Sequence, residues 1–360
     1  MFAGLLLACP GSGEGETSTG PATSGPGSTA ADGANSGPID ETTGTAPTTA
    51  AATTGEDPAG STSDESTGAA QSSSSESAGE ESGDTDTPGC PVLAPRGVWV
   101  WHQEEAQDPG SAAQLLEFAA AHAVTHLYLE SESLLANDPE RLAAFLGEAA
   151  DACVAVELLF GAADWALGEN HDQPLAIVDD ALVFVEGLTA RPAGLHFDVE
   201  PHGLPDWDAN KQAYASQYLD LLDAMAADLA GSALPLTVDV AFWYDTVMID
   251  RDGESRPLSE LVQDRVDRVV LMDYRDHAEP PDGLIDNAEA ELAYAAQIGR
   301  LVRVGVETTC GLEPEKVTFC EEGAAAMATA LAATTAMFAA NPAWDGVAIH
   351  DHEAWTTLPD

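Results

Sequence analysis

Between residues 194 and 202 the sequence reads Gly-Leu-His-Phe-Asp-Val-Glu-Pro-His, and its alternation of ionisable and apolar side chains is that of a β-strand. A period of two sends His196, Asp198 and Glu200 to one face and Leu195, Phe197 and Val199 to the other. Two carboxylates held close split their pKa values, so one stays protonated near neutral pH and can serve as a general acid. Further carboxylates fall at or just beyond the ends of other β-branched runs: Glu130, Asp245, Asp273, Asp276, Glu307, Asp351 and Glu353. Trp101, Trp165, Trp207, Trp243 and Trp355 fall at the same ends. Carboxylates rimmed by flat apolar rings suit a sugar, whose C–H faces stack on indole and whose hydroxyls seek charged acceptors. The expected substrate contacts are Trp101, His102, Glu130, His196, Trp243, Asp273, His350 and Trp355; His102, His202 and His350 would bond hydroxyls or orient carboxylates.

Such groups need a scaffold that collects strand ends. From Arg96 onward, short β-branched runs alternate with longer amphipathic stretches. The runs predict strands β1 at 97–101, β2 at 125–130, β3 at 154–160, β4 at 194–200, β5 at 235–243, β6 at 268–274, β7 at 301–307 and β8 at 346–351. Leu, Ala and Val at three- and four-residue spacing predict helices over 112–123, 140–152, 175–188, 209–229, 288–298 and 324–340. Eight such units without a hairpin signal between strands predict an α/β fold, a closed (β/α)8 TIM barrel over 89–360. A barrel of this kind presents its chemistry at the C-terminal strand ends. No Gly-x-Gly-x-x-Gly follows a strand, so a dinucleotide has no expected site and no cofactor is expected.

The β4 segment resembles the Asp-x-x-Asp-x-Asp-x-Glu signature of family 18 glycoside hydrolases, the chitinase-like barrels, and Met272-Asp273-Tyr274 resembles that family's Met-x-Tyr on β6. The resemblance implies a carbohydrate substrate, Glu200 as acid, Asp198 orienting a substrate acetamido group, and Tyr274 assisting. Four positions depart from it: Ala193 and His196 stand for the first two aspartates, Arg275 follows Tyr274, and His350 replaces a Trp on the last strand. A second resemblance is to retaining clan A glycosidases, with Glu200 on β4 as acid/base and Glu307 on β7 as nucleophile. Retention by double displacement would need the two carboxyls about 5–5.5 Å apart, and inversion about 6.5–9.5 Å. Two further readings stay open: a carbohydrate-binding protein without turnover, and a metal-dependent barrel hydrolase using His350-x-His352 and Asp198-x-Glu200-x-His202.

Residues 10–88 are almost entirely Gly, Ser, Thr, Ala, Pro, Asp and Glu, with no aromatic between Phe2 and Trp99. Such a stretch buries too little apolar area to offset its ordering entropy, so it is expected to be a disordered linker reaching roughly 50 Å. Ahead of it, residues 1–9 end in Leu6-Leu7-Ala8-Cys9, which resembles the lipobox of bacterial lipoproteins and implies export with lipid on Cys9. The location implied is a bacterial membrane, on the cell surface or in the periplasm, with contact to the bilayer through that lipid alone. Removing Cys9 from the five cysteines leaves four. Export favours pairing them: Cys310 with Cys320 across a short loop, and Cys90 with Cys153 by elimination. The net charge of −50, with no Lys or Arg before Arg96, makes nucleic acid an unsuitable partner.

Overall fold

The computed structural model describes residues 89–360. The expected signal segment, the lipid site at Cys9 and the linker over 10–88 lie outside the described residues. The eight barrel strands are β1 (Arg96–Val100), β2 (His126–Glu130), β3 (Ala155–Phe160), β4 (Gly194–Phe197), β5 (Leu236–Ala241), β6 (Arg268–Met272), β7 (Leu301–Glu307) and β8 (Trp344–His350). Each pairs in parallel with the next, and β8 closes on β1. Each strand is followed by a helix: α1 (Pro109–Ala121), α2 (Pro139–Asp151), α3 (Asp172–Phe184), α4 (Trp207–Asp228), α5 (Leu258–Gln263), α6 (Leu284–Ile298), α7 (Gly323–Phe338) and the short α8 (His352–Thr356). The described residues therefore form a TIM barrel, as the alternation of runs predicts.

Local chemistry explains the helix starts. Asp108 accepts from the Gly110 and Ser111 amides and Asp138 from the Arg141 amide, each with proline in the first turn, so donors that a helix leaves open are satisfied. The connection from β5 to β6 differs from the sequence reading in two elements. A hairpin, Met248–Arg251 with Glu254–Pro257, interrupts the connection from β5 to β6. Its turn is Asp252-Gly253, both at positive φ, which is a hairpin signal of the Asp-Gly kind. The following α5 is too short to show helical periodicity on its own.

Strand parity divides the core. Outward residues such as Leu195, Phe197, Val238 and Val304 pack beneath the helices. Inside lie Trp99, Tyr128, Leu159, Val270 and Ala348. Trp99 fits because Gly305 faces it; a Cβ there would stand 2.9 Å from the indole edge. The lower interior is ionic. Arg303, fully buried, bonds the Tyr128 hydroxyl at 2.7 Å and Asp345 at 2.5 Å, and Arg268 bonds Glu157 at 2.8 Å and Asp345 at 2.6 Å. Charges withdrawn from water are tolerable only when paired in this way.

Both cysteine pairs form disulfides, Cys90–Cys153 and Cys310–Cys320, with Cα separations of 5.5 and 5.0 Å. The first ties the segment before β1 to the end of α2. The second staples the loop after β7.

Candidate active site

The inward column of β4 begins with His196, which is wholly buried between two carboxylates: Nε2 is 3.0 Å from Asp239 Oδ2 and Nδ1 is 3.4 Å from Glu157 Oε2. Burial opposes its charge, but Asp239 and Glu157 hold the imidazole up at about 9. Glu157 is in turn held down at about 2 against burial by His196 and Arg268. Trp99 donates its indole N–H to Asp239 at 3.2 Å. This ionic layer is the floor on which the strand ends rest.

Above it stand Asp198 and Glu200. The Asp198 amide donates to the Phe160 carbonyl at 2.8 Å, which keeps the end of β4 aligned with β3. Gly161 makes this approach possible: a Cβ there would lie 3.0 Å from the Asp198 Cβ and closer still to its carbonyl oxygen. Glu200 keeps 19 % of its side chain exposed. Burial, then the negative charges of Asp198 and Asp239, push its carboxyl well above the usual carboxylate range. A carboxyl whose acid form is favoured and which still reaches solvent can give a proton to a bound leaving group.

Tyr274, beyond β6, faces this group. Burial and the carboxylates of Glu307, Asp239, Glu200 and Asp198 push its hydroxyl well above its ordinary range, so it remains an O–H donor. Its ring lies 6.0 Å from that of His350. His350 Nδ1 lies 2.8 Å from Glu307 Oε2, and Trp101 donates its indole N–H to His350 Nε2 at 2.8 Å. Burial opposes a charge on His350, but Glu307 pulls its pKa up to about 9. The indole works against that pull, because a donor-only group needs the Nε2 lone pair. The contact pair therefore fits a neutral imidazole with its proton on Nδ1, toward Glu307.

Glu307 is wholly buried, and both its oxygens are engaged. Oε1 accepts from the Thr308 and Thr309 amides at 2.8 and 2.7 Å, while Oε2 faces His350. Burial would raise its pKa, but His350 and Thr309 hold it below the usual carboxylate range. It points inward, as the parity of β7 predicts. With no exposed surface, however, it is not presented as a nucleophile, because attack on a sugar carbon requires an accessible lone pair.

No protein-family model matches the sequence, and no curated protein matches it. Among solved structures, the chain is similar to a chitinase from Bacteroides thetaiotaomicron (13% identity, 73% of this chain and 91% of that one, TM-score 0.46). It is also similar to a chitinase from Chromobacterium violaceum (12%, 73% and 96%, TM-score 0.43). A third is the spore cortex-lytic enzyme SleL of Bacillus megaterium (14%, 62% and 53%, TM-score 0.38). These resemblances are distant, and the barrel assignment rests on the closed strand order itself.

The other expected contacts divide into two groups. Trp101 and Trp243 are half-buried at strand ends, Glu130 ends β2, and His102 is exposed and pairs with Glu353 at 3.0 Å. Burial raises the Glu130 carboxyl to about 7. Three expectations are corrected. His196 has no exposed surface and belongs to the ionic floor. Asp273 turns outward, fully buried, and accepts from Asn287 of α6 at 2.8 Å, because it lies on the opposite parity to Met272 and Tyr274. Trp355 is buried against Phe118 of α1, with ring centroids 5.2 Å apart. Trp165 and Trp207 are likewise buried, so of the five strand-end tryptophans Trp101 and Trp243 alone are only half-buried.

Arg275 does not enter the site; its guanidinium stacks 4.4 Å over Phe242 and bonds Asp282 at 2.8 Å. Among the described residues, no group of three or more His, Cys, Asp or Glu is arranged to hold a metal ion. Two contributors escape the sequence reading. Asp239 shares the inward parity of Thr237 and Ala241 and was legible by that rule. Tyr244, which reaches His202 at 2.8 Å, lies in a 3-10 turn and carries no periodic signal.

Proposed function

We propose that this chain is a glycoside hydrolase in which Glu200 is the general acid and the substrate's own 2-acetamido group is the nucleophile. The observation that carries the reading is the placement of Glu200: partly exposed just beyond a strand end, in surroundings where burial and the charges of Asp198 and Asp239 favour its acid form. Glu200 gives its proton to the glycosidic oxygen as that bond breaks, and the acetamido oxygen closes on the anomeric carbon. Asp198 accepts the acetamido N–H and balances the developing positive charge, and the Tyr274 hydroxyl steadies the acetamido oxygen. Glu200, now a carboxylate, takes a proton from the water that opens the intermediate, which restores the acid. The occupied oxygens of Glu307 favour this route over double displacement. The half-buried rings of Trp101 and Trp243 suit the apolar faces of a glycan. The sequence of residues 1–9 supports export and lipid attachment at Cys9.

The test is release of reducing ends from chitin oligomers and β-glucans by the purified chain and by Glu200→Gln, each with and without a chelator. Cleavage confined to acetamido sugars, lost in Glu200→Gln and indifferent to chelator, is expected. Binding without cleavage by the wild type would move the assignment to a carbohydrate-binding protein, and sensitivity to chelator would move it to a metal-dependent hydrolase.

A further inference from the structure

We propose that His202 is a positioning residue for Glu200, supplying an N–H whose tautomer is set by Tyr244. His202 sits in the 3-10 turn Pro201–Gly203 that immediately follows Glu200, and the Gly203 amide closes that turn on the Glu200 carbonyl at 2.9 Å. One ring nitrogen, Nε2, is 3.5 Å from Glu200 Oε1. The other, Nδ1, is 2.8 Å from the Tyr244 hydroxyl. The ring is fixed edge-on by Trp243 and Tyr244, at centroid separations of 5.1 and 5.6 Å. Trp207 stacks behind Tyr244 at 6.5 Å.

The protonation states follow from the surroundings. Burial lowers His202 to about 4, so at neutral pH it carries one N–H and one lone pair. Burial and the neighbouring Tyr218 and Glu200 push Tyr244 well above its ordinary range, so it keeps its proton. A tyrosine O–H that donates to Nδ1 leaves the imidazole proton on Nε2, which faces Glu200. A contact of 3.5 Å shortens to a hydrogen bond when bound substrate settles the carboxylate, as catalytic contacts commonly do.

The need for such a donor lies in the charges that face Glu200. Asp198, just beyond β4, and Asp239 on β5 oppose its ionisation. Tyr218 of α4, Tyr244 and Tyr274 add neutral hydroxyls, and the His350–Glu307 pair stands beyond Tyr274. These neighbours favour the acid form, and they disfavour the carboxylate that must exist halfway through the reaction. A cation beside Glu200 would stabilise that carboxylate and deplete the acid form. A neutral N–H stabilises the carboxylate more modestly and leaves the acid form populated.

The proposal rests on Glu200 being the acid, and its test is chosen to stand apart from that reading. The Glu200 titration midpoint is measured in the full chain by carboxyl-stretch infrared difference spectra against Glu200→Gln. The same measurement is made in His202→Phe, His202→Gln and Tyr244→Phe. Loss of the donor in His202→Phe is expected to raise the midpoint by about one pH unit, the scale of one hydrogen bond to a charged group. His202→Gln, which retains an N–H near the Nε2 position, is expected to restore it, and Tyr244→Phe to raise it by less. Where glycan is cleaved, the basic limb of kcat/KM is expected to move by the same amount as the midpoint. An unchanged or lowered midpoint in His202→Phe overturns the proposal; if that variant does not fold, an unchanged midpoint in Tyr244→Phe does so. A wild type that cleaves no glycan but shows the midpoint shifts removes the function and keeps the role of His202.

Discussion

Glu307 Oε2 and His350 Nδ1 lie 2.8 Å apart across the junction of β7 and β8, and Trp101, just beyond β1, caps the far side of the same imidazole. The chain thus spends a buried carboxylate on fixing a histidine at the mouth of the barrel. Glu307→Ala leaves the Thr308 and Thr309 amides and His350 without their acceptor. The expected result is a loss of about 2–4 kcal/mol in denaturant unfolding, the scale for orphaning buried polar groups. A 2-fluoroglycoside, which traps carboxylate nucleophiles, is expected to leave the mass of the wild type unchanged; a covalent adduct at Glu307 would restore the double-displacement route.

Gly161→Ala places a methyl group against Asp198. The end of β4 must shift, and on the proposed mechanism the geometry for an acetamido group shifts with it. A fall in kcat of about tenfold, or ~1.4 kcal/mol in barrier, is expected with the fold retained by circular dichroism. Unaltered turnover in a folded variant would separate Asp198 from the chemistry.

Stability should fall toward alkaline pH. Glu291 on α6 is buried, and burial pushes its carboxyl up to about 8. An unfolded glutamate titrates near about 4.3, so its contribution is fully present below that pH and is lost as pH rises through about 8. His196 acts with the same sign, complete below about 6.5 and lost through about 9. Thermal midpoints are therefore expected to decline from about pH 6 to about pH 9, with a shallower decline in Glu291→Gln. Identical slopes in the two proteins would show that Glu291 does not carry the effect.

The Cys90–Cys153 bridge spans 63 positions and anchors the strand entering the barrel. Cys90→Ser with Cys153→Ser is expected to lower unfolding free energy by about 2–5 kcal/mol, because the open chain gains loop entropy. Equal stability of the oxidised wild type and the double variant in a denaturant titration would contradict this.

Much of the site's scaffold was readable in short stretches of chain. A period of two over residues 194–200 decides by itself that His196, Asp198 and Glu200 share a face, since alternation is a property of any extended strand. The same parity turns Glu307 inward and, applied strictly, turns Asp273 away from Tyr274. Alternating β-branched and amphipathic runs likewise imply a parallel barrel, because each strand needs a crossover to reach the next.

Sequence alone determined which residues stand at the strand ends and which way most of them face. Tertiary structure decided what each one touches. His350 is the partner of Glu307 only because β7 and β8 are neighbours, and Trp101 completes that contact only because the sheet closes on β1. Tyr244 reaches His202 only through the turns that follow β4 and β5. Trp355 looks the same in sequence as Trp101, yet one packs beneath α1 and the other bonds His350. The physical reason is that facing is set by backbone periodicity within a few residues, whereas desolvation and pairing depend on groups brought together by closure of the whole barrel.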